Sequence, residues 1–219
     1  MTEQAIETYL NENKDRFLEE LKDFLRIPSV SADPSHDGDT KRCAKWVRDH
    51  LLSLGMETVE IHETDGHPIV YAAHCKHDDK PTVLLYGHYD VQPPDPLELW
   101  HSQPFDPTVR DGKIFARGAT DDKGQVFAHI KGIEALFKTQ GELPINLKIV
   151  LEGEEEVGSV NLERWVREHL DLLDCDSVVI SDSSMFAPGV PSITYGLRGL
   201  MYCEVTVVGP SHDLHSGLY

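Results

Sequence analysis

Helical and strand-like hydrophobic patterns alternate along the 219 residues and predict an α/β sandwich with a central, mostly parallel sheet. Two observations carry this reading. The runs Thr82–Tyr86, Ile145–Leu151 and Ser177–Ser181 are apolar on both faces, as in sheet strands covered by helices on either side. Between them lie segments with apolar residues at three- and four-residue spacing, the period of an amphipathic helix.

Taken in order, Tyr9, Leu10, Phe17, Leu18, Leu21, Phe24 and Leu25 mark a first helix that ends before Pro28. Residues Ser29–Thr40 hold Ser, Asp, Pro and Gly and read as a loop. Cys43, Trp46, Val47, His50, Leu51 and Leu54 mark a second helix, with Gly55 placed to cap it. Strands follow at Glu57–His62, Ile69–His74 and Thr82–Tyr86. The pattern then returns as a helix over Gly124–Lys138, a strand over Ile145–Leu151, a helix over Leu162–Leu170 and a strand over Ser177–Ser181. Residues 183–199, with Pro188, Gly189, Pro191, Gly196 and Gly199, read as a hinge, and Leu200–Val208 alternates like a new strand.

The composition narrows the function. Hydrophobic residues make up 40% and charged residues 26%, as in globular proteins. A formal net charge of -18 argues against nucleic acid and anionic membrane surfaces as partners. Cys43, Cys75, Cys175 and Cys203 are widely spaced with no C-x-x-C pair, which suits thiols in a reducing compartment. With no signal-like N-terminus and no long apolar segment, the expectation is a cytoplasmic protein.

Ligands of an open α/β sheet gather at the C-terminal ends of its strands, and four chemistry-bearing turns are expected there. Gly87-His88-Tyr89-Asp90 follows Thr82–Tyr86; a neutral imidazole is a good metal ligand, and Asp90 could fix its tautomer. Thr120-Asp121-Asp122-Lys123 leads into a helix. Glu152-Gly153-Glu154-Glu155-Glu156 follows a buried strand, where like charges are costly unless cations or protons relieve them. Asp182 ends the Ser177–Ser181 strand. Each turn alone is explained by capping or turn chemistry. Together, one His and several carboxylates suggest a mixed N/O site for zinc or manganese, with a glutamate as general base. Which of Glu154, Glu155 and Glu156 serves as base is open at this level.

The order of these motifs resembles the di-zinc metallopeptidase family of carnosinase, cytosolic nonspecific dipeptidase, aminoacylase and succinyl-diaminopimelate desuccinylase. The matching stretches are Gly87-His88-Tyr89-Asp90-Val91-Gln92-Pro93, Arg117-Gly118-Ala119-Thr120-Asp121-Asp122-Lys123-Gly124 and Glu155-Glu156-Val157-Gly158-Ser159. Ser181-Asp182, Tyr195-Gly196-Leu197-Arg198-Gly199 and Asp213-Leu214-His215-Ser216-Gly217 extend the match, whose form is most similar to the dipeptidase and carnosinase branch. The resemblance implies a zinc-exopeptidase-like sandwich over residues 1–195 and the start of an α+β lid or dimerisation domain over 196–219.

It also implies two divalent ions, Zn2+ with Mn2+ as the alternative. His88, Asp121 and Asp182 would hold one, and the bridging Asp121 with Glu156 the other. Asp90 would orient His88, Glu155 would be the base, and His215 would steady the oxyanion in a partner subunit's site. The implied activity is hydrolysis of dipeptides or short peptides by an activated water, in a homodimer. Family members are about twice as long, and a further His ligand belongs to their second half, so the chain is expected to be an incomplete, inactive portion. The alternatives are an N-acyl-amino-acid deacylase of the same family and a non-catalytic metal-binding product.

Overall fold

The computed structural model describes residues 3–217, in two compact units that divide between Ser184 and Met185. In the first unit, helix α1 (Glu3–Leu25) is followed by α2 (Asp37–Leu54) and strands β1 (Thr58–His62), β2 (Ile69–His74) and β3 (Thr82–His88). A hairpin of β4 (Thr108–Arg110) and β5 (Lys113–Phe115) precedes α3 (Lys123–Gln140) and β6 (Asn146–Glu152). The unit closes with α4 (Leu162–Glu168), the short α5 (Leu170–Leu173) and β7 (Ser177–Ile180).

Five strands form one sheet in the order β1-β2-β6-β3-β7. The β3–β6 and β3–β7 pairs are parallel; β2 is antiparallel to both β1 and β6. Four strands therefore run in one direction and only β2 opposes them, a mostly parallel sheet as the sequence predicts. The period of two along each strand sorts its side chains onto two cores. Val70, Ala72, Leu85, Leu147, Ile149 and Leu151 pack with Phe24, Val47, Leu51, Phe127 and Ile130 of α1, α2 and α3. Ile69, Tyr71, Leu84 and Val150 pack with Trp165 of α4 on the other face.

Two expectations need correction, and one hairpin lies outside them. The segment read as a loop up to Thr40 turns helical at Pro34: the Asp33 carboxylate accepts the Ser35 N–H, a 3-10 turn spans Pro34–His36, and α2 begins at Asp37. The Asp-Pro-Ser sequence is thus a helix start rather than a loop, because a capping carboxylate followed by Pro presets the first turn. The β4–β5 hairpin was not anticipated, since its strands are three residues each. Its signal is Asp111-Gly112, both at positive φ (50° and 72°), as a tight two-residue turn requires. Finally, Leu200–Val208 has no ladder: among the described residues nothing pairs with it, and an unpaired strand has no hydrogen-bonded partner to define it.

The second unit is open to solvent, with Tyr195, Leu197, Leu200 and Tyr202 all exposed, and among the described residues a β-bridge joins Ala187 and Val190. All four cysteines are free. Among the described residues, no helix is long and apolar enough to cross a membrane.

Candidate metal centre

β3 runs on to His88, two residues past the Tyr86 end that the apolar run suggests, so the histidine is the last residue of the strand. The imidazole is fully buried. Its Nδ1 lies 3.3 Å from Asp90 Oδ1 and 3.1 Å from the Asp90 carbonyl, so that nitrogen faces acceptors and Nε2 is left to face outward. Around Nε2 three carboxylates converge: Asp121 Oδ1 at 3.1 Å, Asp182 Oδ2 at 3.6 Å and Glu155 Oε2 at 3.9 Å. Ligands of a tetrahedral zinc, at about 2.0–2.2 Å from the ion, sit about 3.3–3.6 Å from one another. One imidazole and carboxylate oxygens at these separations fit a divalent cation.

Two triplets have ligand atoms within 4.8 Å of one another here: His88, Asp121 and Asp182, and His88, Glu155 and Glu156. The first is the set the sequence singles out. In the second, Glu156 is brought to His88 together with Glu155, and Asp121 contributes to the field at Glu156.

Asp90 joins these parts. It is fully buried, accepts the Ser31 hydroxyl at 2.6 Å, and accepts the backbone N–H groups of Glu155 at 3.2 Å and Glu156 at 3.1 Å. One carboxylate therefore orients the histidine and also fixes the turn that carries both glutamates. Asp121 reaches the cluster from the loop before α3 rather than from a sheet strand, which corrects the expectation of four strand ends. Gly87 allows that approach: a Cβ there would lie 2.7 Å from Asp122 Oδ2 and from Val126 Cγ2, so any larger residue would push α3 off β3.

The glutamate run resolves into distinct roles. Glu152 is held by the Tyr86 hydroxyl and by Ser159 Oγ at 2.8 Å. Glu154 is buried, accepting the His67 N–H at 3.1 Å and Asn161 Nδ2 at 2.9 Å. Gln92 Nε2 donates to Glu156 Oε2 at 2.7 Å. The Glu155 carboxylate accepts no hydrogen bond among the described residues. Sequence reasoning leaves Glu154 open as a base and assigns no role at the metal site to Glu152, Gln92 and Asp122. The last is buried, accepts the His88 N–H at 3.2 Å through Oδ2 and leaves Oδ1 without a partner among the described residues.

Electrostatically the site is crowded with negative charge. Burial pushes Asp122 up to about 7, reinforced by Asp182 and Asp121. Burial also raises Glu155, with Asp182, Asp90 and Asp121 adding to it, and raises Glu156, with Asp121 adding to it. Burial opposes a charge on His88, but Asp90, Asp122 and Glu155 outweigh it and push the imidazole up to about 10. The carboxylates thus favour any positive charge at this place, a proton or a cation. His215 lies exposed in the second unit, where its Nδ1 accepts the Gly217 N–H at 3.2 Å.

A buried imidazole ringed by carboxylates at the ends of parallel strands defines a candidate centre for divalent cations. The chain belongs to Peptidase family M20/M25/M40, whose family model matches residues 84–212. It is 40% identical to the Cys-Gly metallodipeptidase dug1 of Schizosaccharomyces pombe, over 96% of this chain and 47% of that protein. It is 36% identical to the Beta-Ala-His dipeptidase of Homo sapiens, over 96% of this chain and 44% of that protein. The crystal structure of human carnosine dipeptidase 1 superposes with a TM-score of 0.77 at 34% identity, over 83% of this chain and 41% of that one. The chain thus spans about half the length of the curated relatives it matches, and these relatives support the dipeptidase and carnosinase branch.

Proposed function

We propose that the chain carries the catalytic part of a metal-dependent dipeptidase. The convergence of Asp121, Asp182 and Glu155 on His88 Nε2 is the observation that carries the reading. His88, Asp121 and Asp182 would hold one ion and Asp121 with Glu156 a second, with zinc favoured by the mixed nitrogen and oxygen donors. When bound, such ions polarise the scissile carbonyl and acidify a water molecule. Asp90 holds His88 Nδ1, leaving Nε2 to bind. Glu155 takes a proton from the attacking water and returns it to the leaving amine. Two contrasts support Glu155 as the base, since Glu154 is tied to Asn161 and His67, and Glu156 to Gln92.

Within the same reading, residues 1–195 form the catalytic domain and 196–219 open a lid through which two subunits pair, with His215 supplying an oxyanion donor to the partner's site. The names of the relatives point to Cys-Gly and β-alanyl-histidine as first substrates to assay. In a protein extended to the relatives' length, Glu155→Gln should lower kcat on these dipeptides by about 10²–10⁴-fold with zinc still bound. An unchanged kcat overturns the mechanism, and zinc-loaded protein that cleaves neither dipeptide overturns the substrate class.

A further inference from the structure

Asp182 stands where the sheet no longer supports it. The parallel β3–β7 ladder ends at the pair Tyr86 and Ile180, two residues before Asp182 and two before His88. Continuing that register sets Asp182 beside His88, as their 3.6 Å approach requires, yet no ladder hydrogen bond reaches that far. The other end of β7 is anchored from both sides: the Asp176 N–H bonds the Thr82 carbonyl at 2.9 Å, and the Asp176 carboxylate accepts the Thr82 N–H at 2.7 Å.

Ser181, the residue between the last ladder pair and Asp182, has one side-chain partner among the described residues. Its Oγ lies 2.5 Å from His129 Nε2. By the two-residue alternation of an extended chain, Ser181 turns to the face opposite Asp182. α3, which carries His129, also packs on that face, where its Val126, Phe127 and Ile130 meet the sheet. The same helix begins at Lys123, directly after Asp121 and Asp122. One contact thus links the helix that follows Asp121 to the loop that holds Asp182.

We propose that the His129–Ser181 hydrogen bond is a positioning contact, holding Asp182 at the separation from His88 and Asp121 that a divalent cation needs. The inference rests on the metal-centre reading and assigns His129 no contact with substrate. Groups that orient metal ligands from behind typically change metal affinity by about 10–100-fold when removed. A gain of this kind comes from presetting a carboxylate that the chain would otherwise have to immobilise on binding.

The test is Zn2+ affinity of the 219-residue chain, by calorimetry or chelator competition, with the thermal midpoint of the metal-free protein recorded beside it. Ser181→Ala and His129→Ala should each weaken zinc binding about tenfold or more, and the double variant no further than either single one. His129→Gln, whose amide can donate to or accept from Ser181, should recover most of the loss. The metal-free midpoint of His129→Gln should stay near wild type, which keeps the test open if His129→Ala folds poorly.

Asp182→Asn serves as the control for the site itself. If Asp182→Asn weakens zinc binding while the Ser181 and His129 variants bind as wild type, the positioning contact is overturned and the metal centre stands. Additive losses, or no recovery in His129→Gln, also overturn it. A wild-type chain that binds no zinc overturns the metal centre and this inference together.

Discussion

Two places in the first unit gather carboxylates around a histidine, and they differ in what neutralises them. Between α1, α2 and α3, Glu20 and Glu134 surround the Lys131 ammonium at 2.5 and 2.7 Å, with His50 Nε2 2.7 Å from the same nitrogen. Arg16 adds a second cation against Glu134. Although burial works against it, Glu134 is held down to about 2 by its bonds from Arg16, Lys131 and Tyr9. At the His88 cluster Asp122, Glu155 and Glu156 move the other way, pushed up chiefly by burial. The adjacent lysine offers no relief, because Lys123 Nζ is turned to the carbonyls of Phe24 at 3.2 Å and Ile27 at 2.7 Å. Among the described residues, no Lys or Arg pairs with Asp90, Asp121, Glu155 or Asp182. The fold therefore supplies its own cation to the helical cluster and withholds one from the strand ends, which is the arrangement expected of a site meant to take an ion from solution.

Removing the built-in cation should have the largest effect. Lys131→Met leaves Glu20 and the buried Glu134 short of a partner, and breaking a buried pair in this way costs about 3–5 kcal/mol. Urea unfolding measures the loss; a change within about 0.5 kcal/mol would mean that Arg16 alone suffices and would dissolve the contrast. Supplying the missing cation should act in the opposite direction at the other cluster. Zinc at about a hundred times its Kd should stabilise the wild-type chain by about 2.7 kcal/mol. That gain should vanish in His88→Ala and persist in Lys131→Met. If zinc raises the thermal midpoint equally in His88→Ala, the ion binds elsewhere.

The two clusters were not equally legible in the sequence. His88, Asp90 and Asp182 stand at or just past strands whose apolar runs are plain, and the ordered motifs bring Asp121 with them. The helical cluster was invisible because its partners come from three elements: Glu20 and Lys131 are over a hundred residues apart, and the hydrophobic period marks only the buried stripe of a helix. The same limit blurred the glutamate run. Glu154 and Glu155 look alike as letters, and what separates them is contact with Asn161 and the His67 N–H, which only the folded chain provides. His129 reads in sequence as one more helix residue, and its partner Ser181 lies 52 residues away. Leu200–Val208 shows the reverse failure. Its alternation is real, but a strand also needs a neighbour.

Acid should separate the clusters with a smaller effect. Glu134 is held down to about 2 from an ordinary value of 4.5, so its ionised form is favoured by the fold. Stability from this group is complete above about pH 5 and is lost as the pH falls through its folded value. Glu155 and Glu156 have the opposite sign, because a raised carboxylate contributes stability below its ordinary value and loses it as the pH rises. In metal-free protein, Glu134→Gln should cost on the order of 1–2 kcal/mol at about pH 6, allowing for the solvent that reaches Arg16. The wild-type and variant stabilities should converge as the pH approaches about 2. Denaturant midpoints taken at half-unit steps of pH give the difference curve. A constant gap across the range would show that Glu134 contributes through packing rather than charge, and the two clusters would then no longer be opposite answers to one electrostatic problem.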